Sequence, residues 1–165
     1  MRIRAQAFTW IIAVVAALAA HALVPINAVR AAGSDDGIVR VKSAYDVDET
    51  VRRLKADIEQ KGIKFFNVFD QTQLGADAGI KLNPSKLLVF GNPPLGIQFL
   101  TSNPNAGLDW PVRLLVTKDD GGRVWAVYTD FGWIARRHGI ADRETQFKLA
   151  SEVIASITSS IAADH

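Results

Sequence analysis

The chain has 165 residues, with 19 Lys+Arg against 17 Asp+Glu, 48% hydrophobic residues and no cysteine. The lack of cysteine excludes disulfides, a thiol nucleophile and any cysteine-based metal site. Met1 is the only methionine, so the body of the chain also offers no soft thioether ligand for copper or haem.

The first elements read as a leader. Arg2 and Arg4 form a positive start, and Ala7 to Ala20 is an uncharged apolar stretch of fourteen residues. Pro25 breaks it, and Val29-Arg30-Ala31 places small residues where a signal peptidase reads. This is the layout of a secretory signal peptide over residues 1–31. The stretch is shorter than the ~20 apolar residues a membrane-spanning helix needs. The expectation is an exported product, periplasmic or secreted, with no stable membrane span after cleavage near Ala31. Residues 1–31 hold three basic residues and no acidic one, which leaves 16 Lys+Arg against 17 Asp+Glu, a net of −1. That balance gives no electrostatic reason to expect nucleic acid as a partner.

Residues 32–37 (AGSDDG) are small and acidic, and read as a flexible lead-in. Residues 38–43 alternate, with Val39 and Val41 on one face, and predict a first strand. Asp46 is placed to cap a helix, with Glu49 completing a capping box. Val47, Val51, Leu54 and Ile58 share its inner face, and Gly62 ends it. Residues 63–69 (IKFFNVF) form an aromatic second strand. Residues 71–82 are mixed, with a short helical turn near Leu74 to Ala78. Residues 86–90 (KLLVF) predict a buried third strand, stopped by Gly91-Asn92-Pro93-Pro94. Leu95 to Leu100 has room for one or two helical turns, and residues 102–107 read as loop. Two strands follow, 111–117 and 123–129, joined by an Asp119-Asp120-Gly121-Gly122 hairpin. Residues 130–138 read as a loop with room for a helical turn. A last helix starts near Asp142, with Phe147, Ala150, Ile154, Ile157 and Ile161 on one face. Residues 162–165 are expected to fray.

The expected architecture is a single α+β domain over 38–161, order β-α-β-β-β-β-α, with an antiparallel sheet carrying two amphipathic helices on one face. Phe65, Phe66, Phe69 and Phe90 read as core; Trp125 reads either as core or as a subunit contact.

Leu87-Leu88-Val89-Phe90-Gly91-Asn92-Pro93, then Gly107-Leu108-Asp109-Trp110-Pro111-Val112-Arg113, then Tyr128, Asp130 and Arg137-His138 together resemble the domain of unknown function 302 family. The likeness covers residues 37–161. It implies the same α+β fold and no activity. Many relatives look to have Asp-His at the end of the second strand; this chain has Asp70-Gln71, which removes any role resting on that histidine.

Motifs for chemistry are sparse. Beyond the leader, the histidines are His138 and the terminal His165, too few for a zinc site and without paired spacing, so no metal or other cofactor is expected. No GxSxG elbow, SxxK pair, Walker loop or GxGxxG is present. The candidate ligand pocket lies where the FGNP turn, residues 107–113 and residues 128–138 meet, and its residues are Asn92, Asp109, Arg113, Tyr128, Asp130, Arg137 and His138. For Asn92, helix capping competes with pocket lining. For Asp109 and Arg113, an internal ion-pair network with Asp130 and Arg137 competes with capture of an anionic group. Two functions follow from this inventory. The first is a non-catalytic domain that binds a small ligand or another protein, with homodimerisation one arrangement. The second is an enzyme that converges Asp70, Asp109, Arg113, Asp130 and His138 on one pocket.

Overall fold

The structure, a computed structural model, describes residues 36–162. The leader expected over residues 1–31 lies outside them. Five strands form one antiparallel sheet: β1 Ile38–Lys42, β2 Lys64–Asp70, β3 Ser85–Gly91, β4 Val112–Lys118 and β5 Val124–Thr129. Their order across the sheet is β1-β5-β4-β3-β2, so β1 and β2 are its edges. The helices are α1 Val47–Gln60, α2 Gln71–Asp77, α3 Pro93–Ser102, α4 Phe131–Arg137 and α5 Glu144–Ser159, with a 3-10 turn at Pro104–Leu108. The α+β class holds, and the five strands fall in the chain where the sequence placed them. The short helices are where the chain fills stretches expected as turns or loops.

Helix α1 begins as its sequence demands. The Asp46 carboxylate accepts the Glu49 amide at 2.8 Å. The return half of the capping box does not form, because the Glu49 carboxylate pairs with Arg52 (2.6 Å) and Arg53 (2.7 Å) instead. The Arg52 hydrogen bond holds the Glu49 carboxyl down at about 2. At the far end Gly62 takes φ +68°, a left-handed conformation in which a side chain is strained, and its amide closes on Glu59 O. Val47, Leu54 and Ile58 are buried, whereas Val51 is half-buried against the edge of the core. Thr50 is fully buried and shares a 2.6 Å hydrogen bond with Ser43, so this helical face also carries a satisfied polar residue.

Helix α5 starts at Glu144 after Arg143, close to the expected Asp142. All five residues of its predicted face are buried. Phe147 stacks on Phe99 of α3 with ring centroids 4.1 Å apart, which fixes α3 against α5. The sheet face beneath α1 and α5 contributes Val39, Leu88, Phe90, Leu114, Val116 and Ala126 to the buried interior. Ala162, expected to fray, bridges to Ser43, and the last two residues of the lead-in are also engaged: Asp36 accepts the Ile38 amide and Gly37 O accepts the Asp130 amide.

Two of the four phenylalanines assigned to the core are not in it. Phe90 is buried and Phe65 packs on the core, but Phe66 and Phe69 are exposed. The reason is position in the sheet. Strand β2 is an edge, a register shift between Phe65 and Asn67 throws Phe66 outward, and Phe69 pairs with Leu87 on the face that no core residue occupies. Trp125 is half-buried on that same outer face.

Candidate functional site

Four of the seven candidate residues meet. Asp109 follows the 3-10 turn, and its carboxylate is 4% exposed. It accepts Arg113 Nη2 at 3.1 Å on Oδ1 and Arg137 Nη1 at 3.2 and 3.1 Å on its two oxygens. His138 Nε2, itself on a buried ring, lies 2.6 Å from Oδ2. A carboxylate only accepts, so this nitrogen carries the proton and donates. Arg113 also donates to Leu108 O at 2.7 Å, and Asn103 Nδ2 donates to His138 O at 2.8 Å. The cluster ties the segment before β4 to the C-terminal end of α4.

The other candidates do different work. The Asp130 carboxylate caps α4 by accepting the Trp133 amide at 2.7 Å. Tyr128 lies on the core face of β5, aligned with Leu114, and burial, followed by the charge of Asp130, pushes its phenol above its ordinary range. Asn92 holds the N-cap position of α3 with Pro93 next, yet its side chain makes no capping bond. Asp70, counted among the residues of the enzyme reading, caps α2 through the Gln73 amide at 3.0 Å and pairs with Lys86 at 3.4 Å.

The polar cluster leaves little room for chemistry. The cleft beside Asp109 and Arg113 measures about 10 Å³, at the lower limit for one water. A buried carboxylate with three donors already aimed at it is a brace, and a substrate has no path to its oxygens. The five residues of the enzyme reading therefore do not share a concave pocket.

The three segments that carry the candidates meet at a second place, which is apolar. A cavity of about 40 Å³ lies beneath the FGNP turn, between α3 and α5, lined among others by Phe90, Leu95, Phe99, Trp110, Phe131 and Ile154. It shares Ile63, Asn92, Leu95 and Val153 with a surface groove of about 380 Å³. Trp110 lies against bare backbone: a Cβ placed on Gly96 would fall 1.7 Å from its indole Nε1, so only glycine permits this approach. Sequence reasoning passed over Trp110 and Gly96 because neither titrates; the tryptophan inside the GLDWP phrase and the glycine after Pro-Pro were the available signals.

The fold and the site together define an α+β domain built on one five-stranded antiparallel sheet, with a closed polar brace beside an apolar cleft. The chain belongs to the family of the domain of unknown function DUF302, whose model matches residues 39–163. The crystal structure of an uncharacterized conserved DUF302 protein from Bacillus stearothermophilus superimposes with a TM-score of 0.69 at 17% identity. It covers 76% of this chain and 98% of that one, which bears on the fold alone. The chain is also 36% identical over 106 residues to the fluoride-specific ion channel FluC 1 of Brucella suis biovar 1 (strain 1330), covering 64% of this chain and 42% of that protein. The same identity and span relate it to the fluoride-specific ion channel FluC 2 of Brucella melitensis biotype 1, of which 39% is covered. The matched region is thus about two fifths of those curated relatives. Among the described residues no helix is long and apolar enough to cross a membrane.

Proposed function

We propose that this is an exported, non-catalytic interaction domain that pairs with a second copy of itself through β2 and the outer face of its sheet. The observation that carries the proposal is the apolar character of that face. Phe69, Leu87, Leu115 and Val127 line up in one cross-strand row over β2, β3, β4 and β5. None of them belongs to the core or packs against it. Leu74, Ile80 and Leu82, in the segment that follows β2, are exposed as well, and Phe66 and Val68 add apolar surface at the β2 edge, Val68 on the opposite face beside Leu88. Apolar side chains gathered on an exposed face mark a protein contact.

The occupant is argued from charge. Strand β2 begins at Lys64 and ends at Asp70. A two-fold axis through Asn67 sets Lys64 opposite Asp70 of the partner subunit at both ends, with aromatic and β-branched residues between. Among the described residues Lys64 has no carboxylate partner within its own chain, and its ammonium rests over the Phe66 ring at 5.3 Å. The register shift at Phe66 shortens the regular ladder available at this edge, so side chains rather than backbone bonds carry most of the contact. Export rests on the leader pattern of residues 1–31. Relatives in which a similar region is about two fifths of a longer protein support the reading of a module.

Sedimentation equilibrium of the full-length gene product, purified from the exported fraction, tests this. A dimer is expected, and Phe69→Lys or Leu115→Lys should shift it to monomer while circular dichroism is unchanged. Lys64→Glu should weaken it about tenfold or less, the scale of an exposed pair. A wild-type chain that stays monomeric at high micromolar concentration rules the pairing out. An intact mass that still includes residues 1–31 rules out export by cleavage.

A further inference from the structure

The geometry points to a small-molecule site in the cleft between α3 and α5, taking an uncharged, mainly apolar molecule that carries one hydrogen-bond acceptor. This does not depend on self-association, because the cleft opens on the helical side of the sheet. Three observations support it.

The inner end of the cleft is built from Phe90, Phe99, Phe131, Ile154 and Ile157, and it is continuous with the groove through Ile63, Asn92, Leu95 and Val153. A surface opening that runs into an apolar core pocket is how small-ligand sites are made.

Two polar groups line the cavity without a hydrogen-bond partner among the described residues: half-buried Trp110 in its inner part, and Asn92, exposed, where it meets the groove. Trp110 Nε1 carries a hydrogen that no described residue accepts, and it lies directly over Gly96. The Asn92 carboxamide likewise makes no hydrogen bond among the described residues, although it occupies a capping position where asparagine usually bonds a helix amide. A carbonyl or ether oxygen lodged between Trp110 and Asn92 satisfies both.

The surrounding charge selects against an anion. Lys61, in the outer groove, is paired with Asp57 at 3.0 Å, and Glu152 stands in the same groove with no cation on it among the described residues. A carboxylate ligand would meet an occupied lysine and a like charge.

The test is titration of the 15N-labelled protein with three probes that share a ring: acetophenone, toluene and benzoate. The Trp110 indole resonance is assigned from the Trp110→Phe variant. Acetophenone should move that resonance saturably and leave those of Trp125 and Trp133 in place. Toluene should bind about tenfold more weakly, which is the loss of one or two net hydrogen bonds, and benzoate more weakly still. Asn92→Ala, at an exposed position, should bring acetophenone toward the toluene affinity without lowering Tm. Ala150→Leu fills the inner end and should abolish the response; if it fails to fold, Val153→Phe at the half-buried mouth serves the same purpose. No saturable movement of the Trp110 resonance with any probe overturns the proposal. So does an acetophenone response unchanged by Asn92→Ala and by filling the cleft.

Discussion

Leu114 and Leu115 are neighbours in one strand and live in different worlds. Leu114 is wholly buried under the helices; Leu115 is half-buried on the outer face and outside the core. The same contrast runs through the sheet. Val89 sits between Leu88 and Phe90, Val127 beside Ala126, and in each case one face is sealed by α1 and α5 while the other is merely apolar. Alternation in a strand normally separates apolar from polar. Here the outer face keeps an apolar row, Phe69, Leu87, Leu115 and Val127, which ends at Arg40, and that row is the basis of the proposed pairing.

The largest expected effect tests that contrast directly. Leu114→Ala should cost about 2–5 kcal/mol in chemical denaturation, the transfer term plus a cavity that packed neighbours cannot fill. Leu115→Ala, measured at a dilution where the chain is monomeric, should cost about 1 kcal/mol or less. Equal costs would mean that the outer face is packed within a single chain and would remove the basis for the pairing.

A polar residue on the covered side sharpens it further. Asp109→Ala strips the carboxylate from two guanidinium groups and a buried imidazole, and should cost about 2–3 kcal/mol. This is below the ~3–5 kcal/mol of a fully enclosed pair because Arg113 and Arg137 are about half exposed. A cost near zero in thermal denaturation would show that the brace does not hold the segment before β4 to α4.

Arg113→Lys should be milder, about 1 kcal/mol or less. The charge survives, and the cost is the bond to Leu108 O together with the fixed geometry at Asp109. If stability is retained but acetophenone binding is lost, Arg113 acts on the ligand rather than on the fold.

The smallest effect lies in the hairpin at the end of the outer face. Asp119 accepts the Trp125 indole (2.9 Å), the Arg123 amide (2.9 Å) and Arg123 Nε (2.8 Å). The Trp125 hydrogen bond, then the Arg123 amide, hold its carboxyl down at about 2. A depressed carboxyl contributes its stability fully above the unfolded value near 3.8 and loses it as pH falls through about 2. The Asp119 carboxyl carbon should therefore titrate near 2 by NMR, with Trp125 fluorescence changing in the same window. A midpoint near 3.8 would show that the hairpin contacts do not form in solution.

Much of this protein follows from its sequence alone. The capped start of α1 at Asp46, the α5 stripe from Phe147 to Ile161, the Asp119–Gly122 turn and the five strands are local statements. Period, capping chemistry and turn residues express themselves within a few residues of chain, and a sequence displays them directly. The place where the FGNP turn, residues 107–113 and residues 128–138 come together was also readable as a candidate. Which side chains meet there was decided only by tertiary structure. Asp109 reaches His138 across 29 residues, a distance no pattern encodes, while Asp130 and Asp70 are spent on caps of short helices that the sequence showed only as turns. Phe66 and Phe69 read as core because they are aromatic and β-prone. Strand order alone puts them at an edge, since an edge strand has a neighbour on one side only. Trp110 and Gly96 form a cleft wall because an indole needs a bare backbone to lie against, and that contact exists only once α3 has folded over the start of β4.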